Sequence, residues 1–271
     1  MPPAKERLLL LSLLCLGSPL IACLAQDSVD KLPESAVASL RREVAFDEAR
    51  PNEKNPAGLH IVFSKIGEND WEQRHVAVYR AYVVGAAQKQ KYVLAIWKIG
   101  SAPQLMPGDV YVNAKGLLMA HKPRPDQENR DSVDEDDEVD FAIQAARGEP
   151  ARFILATPDG KLAVPGTVVP YPIQSQDRSC RLEARLALPE AIAVMLYADG
   201  LAPNSDVAFH ALSEGESHDG VFHADAHGHG AAITLPNVKG KDAGILKVSV
   251  STNECSTSVE VPWGKGSYKP L

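Results

Sequence analysis

Short runs of β-branched and aromatic residues, each bounded by turn-forming residues, recur from Gly58 to Trp263 and predict a mainly β chain. In the first half these runs are 60–63, 76–84, 92–97, 110–112, 117–119 and 152–156. Residues 113–116 are typical of a hairpin turn, in which Gly116 is free to take a positive φ. Residues 141–145 are predicted instead to form a short helix that ends at Gly148 and Pro150.

Two domains are predicted from this pattern. Residues 168–173 contain two prolines, which favour an edge strand or a linker, and we place the domain boundary there. The first domain, residues 58–173, is then mixed and mostly β with a short helix. The second domain, residues 178–263, is predicted to be a β-sandwich, because polar and apolar residues alternate in several short runs at regular spacing. These runs are 181–186, 192–197, 207–212, 231–235, 245–250 and 259–261, and residues 264–271 form a C-terminal tail.

The turns of the second domain carry a resemblance. Residues 199–207, DGLAPNSDV, resemble the Gly-hydrophobic-x-Pro turn that leads into a strand in bacterial extracellular immunoglobulin-like modules. Residues 225–228 are similar to a later hairpin turn of such modules. With Pro262 and Trp263 near the end, the last third of the chain looks like the immunoglobulin-like sandwich of uncharacterised exported bacterial proteins. The resemblance implies adhesion, packing or binding, and it supplies no catalytic residue.

The first 25 residues have the order of a secretory signal peptide. Lys5 and Arg7 precede an apolar run from Leu8 to Leu16, which Gly17 ends. That run is much shorter than the roughly 20 residues that span a bilayer as a helix. We therefore expect an exported protein in which residues 26–57, rich in charge and proline, form a leader or tether with a short helix at 34–46.

Two cleavage sites are compatible with this signal. Residues 20–23, Leu-Ile-Ala-Cys, resemble a bacterial lipobox, in which cleavage before Cys23 leaves it as a lipidated first residue after a signal of residues 1–22. Ordinary cleavage after Ala25 removes Cys23 with the signal peptide. The protein is then periplasmic, secreted or lipid-anchored to the bacterial envelope, and membrane attachment is expected only in the case where Cys23 carries a lipid anchor.

The cysteines indicate one disulfide. Of the four, Cys15 leaves with the signal peptide, and Cys23 is removed or acylated. Cys180 and Cys255 remain, and in an oxidising compartment such a pair favours a structural disulfide over a redox or metal site. Cys180 opens the first strand of the predicted sandwich and Cys255 lies near its last strand.

The charge of the chain argues against a nucleic-acid partner. Its formal net charge is -7 and its pI is about 5.6, whereas phosphate binding needs a clustered basic surface. Seven acidic residues crowd residues 131–140. We expect a solvated loop there, and the alternative of a calcium site lacks the spacing of an EF-hand loop.

A group of histidines gives the strongest chemical signal. Five of the eight histidines lie between His210 and His229. On an extended strand, side chains two residues apart point to one face, so His223, Asp225, His227 and His229 are candidate ligands for zinc or another divalent transition metal. The alternative is a polar loop that uses histidine, because residues 225–228 also fit a turn that breaks the common face.

The sequence contains no assembled catalytic motif of the serine-hydrolase, zincin, phosphate-loop or dinucleotide-binding type. Five aromatic residues of the first domain either pack in the core or stack on a sugar or partner; they are Tyr79, Tyr82, Tyr92, Trp97 and Tyr111. The favoured function is a binding or structural module of the cell envelope with an unknown protein or glycan partner. The alternative is a metal-binding periplasmic protein or metalloenzyme that uses the segment from His210 to His229.

Overall fold

The computed structural model describes residues 32–48, 58–72, 74–88, 90–106, 109–121 and 136–271. Within these ranges the chain is mainly β, with a single α-helix, and it divides into two compact units. The first unit comprises the described parts of 58–144 together with 151–168. The second unit comprises 32–48, 145–150 and 169–270.

The first unit contains two antiparallel sheets. The smaller has the strand order β1-β2-β8, and the larger has the order β10-β9-β3-β5-β6-β7 with β4 beside β3. The strands are β1 (His60–Trp71), β2 (Arg74–Val84), β3 (Lys91–Lys98), β4 (Gln104–Leu105), β5 (Val110–Val112), β6 (Leu118–His121), β7 (Asp136–Glu138), β8 (Asp140–Ile143), β9 (Ala151–Ala156) and β10 (Ala163–Val168). The predicted hairpin is confirmed, since β5 pairs with β6 and Gly116 has φ of 81°.

Aromatic side chains build much of the first unit's core. The ring of Phe63 lies 4.4 Å from that of Phe153, and Phe141 meets Phe153 edge-on at 5.0 Å, where edge-to-face contact is favourable. Tyr92 and Trp97 of β3 are also buried. Alternation of buried and exposed residues along β2 and β3 follows from the strand period of two.

The second unit contains two four-stranded antiparallel sheets. We call the sheet with the order β11-β12-β13-β16 the covered sheet and the sheet with the order β15-β14-β17-β18 the open sheet. The strands are β11 (Ile173–Asp177), β12 (Cys180–Leu186), β13 (Val194–Asp199), β14 (Asp206–Ser213), β15 (Glu216–His223), β16 (Gly230–Thr234), β17 (Ala243–Ser251) and β18 (Ser256–Gly264). Together the two sheets form a sandwich whose interior is lined by alternate residues of each strand.

The predicted disulfide is confirmed. Cys180 begins β12 and Cys255 immediately precedes β18, with their Cα atoms 6.1 Å apart, and both are buried. Because β12 belongs to the covered sheet and β18 to the open sheet, the bond ties the two layers of the sandwich together.

A helix covers the outer face of the covered sheet. Helix α1 (Glu34–Glu48) buries Leu40 and Val44 against Met195 and Tyr197 of β13, with Ile233 of β16 packed alongside. Met195 and Tyr197 alternate with residues that face the sandwich interior, so strand β13 is buried on both faces. This accounts for its continuous apolar sequence, which is typical of strands between two packed layers.

Three details differ from the sequence-based expectations. The helix expected at 141–145 is wrong, because Asp140–Ile143 forms strand β8 beside β2. Part of the acidic run expected as a loop forms strand β7, paired with β6. The helix expected at 34–46 is present as Glu34–Glu48, but it packs on the second unit and is not part of a free leader.

The predicted signal peptide, both cleavage sites with Cys23, and acidic residues 131–135 lie outside the described residues. Among the residues that are described, no helix is long and apolar enough to cross a membrane.

Candidate functional site

The outer face of the open sheet is exposed across all four strands. Along β14, β17 and β18 the burial alternates, and the outward positions are exposed while the inward positions are buried. Three large apolar side chains point outward, with exposures of 39% for Leu212, 40% for Val221 and 46% for Ile245. Leu212 lies opposite Lys247, and Ile245 lies opposite Pro262. The open face therefore mixes apolar and charged side chains on a continuous pleated surface.

Two histidine-aspartate pairs cross the same face between β14 and β15. His210 Nδ1 lies 2.8 Å from Asp219 Oδ1, and His223 Nδ1 lies 2.6 Å from Asp206 Oδ1. The register sets both contacts, because His210 lies directly opposite Asp219 and Asp206 directly opposite His223. Opposite residues in an antiparallel pair have their Cβ atoms about 4.5–5.5 Å apart, within reach of such a bond.

His218 faces the other way and joins the two sheets at their edge. Its Nε2 lies 2.8 Å from Thr234 Oγ1, which is buried at the end of β16. Burial lowers the pKa of His218, and the neighbouring His210 lowers it further, while Asp219 acts in the opposite direction. The neutral imidazole is therefore favoured in this cross-sheet bond.

A tight turn between β15 and β16 holds the two remaining histidines of the group. Asp225 Oδ1 accepts hydrogen bonds from the backbone N–H groups of His227 at 2.8 Å and His229 at 2.9 Å. Gly228 has φ of 77°, and a Cβ placed there would lie 2.3 Å from the carbonyl oxygen of Leu201. These donors, that of His229 first, hold the pKa of Asp225 below its ordinary value.

Asp199, at the end of β13, orients His229. The Nδ1 atom of His229 lies 2.7 Å from Asp199 Oδ1, while Arg181 donates to Asp199 Oδ2 at 2.9 and 2.6 Å. Burial raises the pKa of Asp199, but the hydrogen bonds from His229 and Arg181 outweigh burial and the net pKa shift is downward. Asp199 is thus an anion that holds the Nδ1 edge of the His229 ring.

The four predicted metal ligands do not share a strand face. Strand β15 ends at His223, and the turn at 225–228 separates that residue from His229. His223 pairs with Asp206 on the open sheet, whereas His229 pairs with Asp199 on the covered sheet. In the described part of the chain, no group of three or more His, Cys, Asp or Glu side chains is arranged to hold a metal ion. What the structure does bring together is His227 and His229, whose ring centroids lie 6.3 Å apart.

A depression of about 380 Å³ lies at the disulfide end of the sandwich. Its lining includes Cys180, Leu201, Val207 and Ser251, with Asp206 and Glu254 as its ionisable side chains. Two carboxylates make this depression acidic, which disfavours an anionic ligand there.

The first unit has a separate charged cluster on the β1–β2 hairpin. His75 lies between Asp70, 2.9 Å from its Nδ1, and Glu68, 3.0 Å from its Nε2. The bonds to Asp70 and then Glu68 raise the pKa of His75 above its ordinary value. Trp71 beside this cluster is 61% exposed.

Among the aromatic residues considered for sugar stacking, Tyr79, Tyr92 and Trp97 are buried, as a core role requires.

The carboxylate partners of the histidines were missed by sequence reasoning. Asp199 is 30 residues from His229, and Asp206 is 17 residues from His223. The strand register brings each pair together, so no local spacing could have revealed them.

The sequence does not predict strand β15 either, because Glu216–His223 is mostly polar and lacks the β-branched content of a predicted strand.

No family model matches the chain, and no curated protein matches it significantly. Among solved structures, it is similar to a tetra-tandem repeat in the extending region of a large adhesion protein, with 13% identity and a TM-score of 0.25 over 77% of this chain and 50% of that one. It is also similar to red sea bream transglutaminase, with 9% identity and a TM-score of 0.23 over 84% of this chain and 34% of that one. At these TM-scores neither likeness bears on the fold or the function.

Proposed function

We propose that the protein is a binding or structural module of the bacterial cell envelope or its surroundings, and that the open sheet of its second unit is the surface that binds a protein partner. The observation that carries this proposal is the difference between the two outer faces of the sandwich. Helix α1 covers one of them and buries Met195 and Tyr197. The other leaves Leu212, Val221 and Ile245 exposed.

The composition of the open face suits a protein partner. Exposed apolar side chains on the rigid face of a sheet favour association with another protein. Here they alternate with charged groups, because the His210–Asp219 pair lies between Val221 and Leu212 along β14 and β15. Lys247, whose Nζ lies 4.0 Å from Glu260, is directly opposite Leu212. Charged groups placed among apolar contacts add specificity to a protein interface.

Photo-crosslinking in the native host tests this surface. A photoreactive residue is introduced in the full chain at Val221, and in a matched control at Arg41, an exposed position on helix α1. A specific adduct is expected from position 221 and not from position 41. Adding Leu212→Lys and Ile245→Lys should abolish that adduct while the melting temperature stays within a few degrees.

The outcomes are distinct. If adduct formation at position 221 survives the double lysine substitution, or if position 41 forms the same adduct, the open sheet is not the binding surface. If position 221 yields no adduct in any fraction that contains the protein, the open sheet binds no protein partner in the native host, and the proposal is refuted.

Export is a separate part of the proposal and rests on the sequence of residues 1–25 and on the Cys180–Cys255 disulfide, a bond typical of oxidising compartments. Mass spectrometry of the protein from its native host tests it. An N-terminus at Gln26 would identify ordinary cleavage after Ala25, and an acylated Cys23 would identify a lipoprotein. A chain that retains residues 1–22 in the cytoplasmic fraction would refute export.

A further inference from the structure

His229 has one ring nitrogen in a hydrogen bond, and its side chain is 50% exposed. Asp199 is held by Arg181 and can only accept, so the proton of the neutral His229 ring lies on Nδ1, which is 2.7 Å from Asp199 Oδ1. The lone pair then lies on Nε2, which has no hydrogen-bond partner among the described residues. A carboxylate on the far nitrogen is the arrangement that orients most metal-binding histidines and raises their basicity.

His227 lies close enough to serve as a second ligand. Two imidazoles that bind one tetrahedral ion at about 2.0–2.1 Å have ring centroids roughly 5 Å apart. The rings of His227 and His229 are 6.3 Å apart and tilted by 40°, and both side chains are exposed. Because the bond to Asp199 holds the His229 ring, rotation of the exposed His227 side chain has to close the difference.

The backbone between these two histidines is preorganised. A single oxygen, Asp225 Oδ1, accepts the N–H groups of both, and the Gly228 N–H donates to the Asp225 carbonyl at 3.0 Å. Three hydrogen bonds to Asp225 thus fix the Cα positions of both ligands, so binding an ion orders little more than two side chains. This reduces the entropic cost of binding.

We propose that His227 and His229 form a two-imidazole site for a divalent transition metal ion, with Asp199 as the residue that positions His229. Imidazole ligands suit Zn²⁺, Ni²⁺ or Cu²⁺ and disfavour Mg²⁺ and Ca²⁺, which prefer oxygen. Water or a group from a partner completes the coordination. His223 is excluded as a ligand because it lies on the open sheet with Asp206. Asp225 is excluded because its Oδ1 accepts the backbone hydrogen bonds of the turn.

Calorimetric titration of the tag-free full chain with Zn²⁺, Ni²⁺ and Cu²⁺ at neutral pH tests the site. One ion per chain is expected for the wild type, and binding should be lost in His227→Ala and in His229→Ala. Asp199→Asn should weaken binding by about 10- to 100-fold, as is usual when the carboxylate partner of a ligand histidine is removed. Mg²⁺ should produce no heat of binding.

Two controls separate this site from adventitious binding by surface histidines. His223→Ala keeps both proposed ligands and should bind as the wild type does. Arg181→Gln removes the other partner of Asp199 while the bond to His229 remains, and it should change affinity less than Asp199→Asn. If His223→Ala abolishes binding, or if His227→Ala leaves it intact, the proposed ligand pair is wrong. An affinity that Asp199→Asn leaves unchanged would refute the positioning role.

Nitrogen-15 NMR of the imidazole rings gives a readout independent of affinity. The metal-free protein should show His229 as the Nδ1–H tautomer, and addition of Zn²⁺ should shift Nε2 of His229 and one ring nitrogen of His227. Metal-induced shifts at His210 and His223 of the same size would show that surface imidazoles bind indiscriminately, and the proposal would then be overturned.

Discussion

At the scale of single residues, Gly228 occupies a position where both the backbone and its surroundings exclude a side chain. Its φ is 77°, and an added Cβ would meet the Leu201 carbonyl oxygen at 2.3 Å. Gly240 is a matched control, because its φ is 79° and nothing lies within 4 Å of an added Cβ. Gly240→Ala should cost about 1–2 kcal/mol from the left-handed backbone alone. Gly228→Ala should cost a further 1–3 kcal/mol, the usual cost of overpacking.

Urea unfolding of the two alanine variants measures this difference. If both variants lose the same free energy of unfolding, the turn moves away from Leu201 without destabilising the fold. In that case the turn would not be rigid enough to fix His227 and His229, and the preorganisation argued for the metal site would be lost with it.

His218 should make the second unit less stable as the pH falls. Burial lowers its folded-state pKa, so the unfolded chain binds a proton more readily than the native one. The stabilising term is present above pH about 6.5, the ordinary histidine value, and is lost as the pH falls toward the lower folded-state pKa. His218→Gln should flatten the decline in unfolding free energy between about pH 7 and pH 5, as measured by urea midpoints across that window.

His75 supplies a control of opposite sign. Its pKa is raised by Asp70 and Glu68, so its contribution is present at low pH and lost as the pH rises through the folded-state pKa. His75→Gln should therefore lower the free energy of unfolding of the first unit at acidic pH. A His218→Gln variant with an unchanged acid slope would mean that Thr234 and its surroundings do not disfavour the charged imidazole.

At the scale of elements, helix α1 should be an integral part of the second unit. Leu40 is 2% exposed and packs against Met195 and Tyr197. Leu40→Ala should destabilise the second unit by about 2–5 kcal/mol, the usual range for a buried leucine. Arg41→Ala, at the next and exposed position, should change stability by about 0.5 kcal/mol or less. A loss as small for Leu40→Ala would show that the helix is not needed to cover the sheet.

Several elements were predictable from sequence because their signals are local. The strands at 76–84 and 92–97 and the hairpin turn at Gly116 follow from β-branched runs and turn chemistry. The sequence predicts a helix where strand β8 forms, because Phe141 and Ile143 are too few to distinguish a period of two from one of 3.6. Pairing with β2 decides in favour of the strand. Packing of helix α1 on β13 depends on contacts about 150 residues apart, which no local pattern contains.

The candidate site likewise has some features that the sequence predicts and others that only the fold brings together. The histidines and the turn at Asp225 are predictable from the sequence. The Cys180–Cys255 disulfide is predictable as well, because cysteine counting leaves only one pairing. The positioning carboxylates were not, since Asp199 meets His229 only after β13 and β16 pair. Sequence order placed His223 with His229, whereas the two sheets of the sandwich separate them.

At the scale of the whole molecule, the disulfide should stabilise one unit and leave the other unchanged. Cys180 and Cys255 are separated by 75 residues, all within the second unit. In the chain-entropy model a loop of this length contributes about 4.5 kcal/mol. The double variant Cys180→Ala, Cys255→Ala should therefore unfold at markedly lower urea concentration in the second unit alone.

Tryptophan positions let this be measured unit by unit. Trp263 is buried in the second unit, and Trp71 and Trp97 belong to the first. With Trp71→Phe and Trp97→Phe as background, fluorescence reports on Trp263 and should follow the destabilised transition. With Trp263→Phe as background, the signal from Trp71 and Trp97 of the first unit should keep its midpoint. If both midpoints shift together, the two units unfold as one cooperative block, and stabilisation by the disulfide extends to the whole chain.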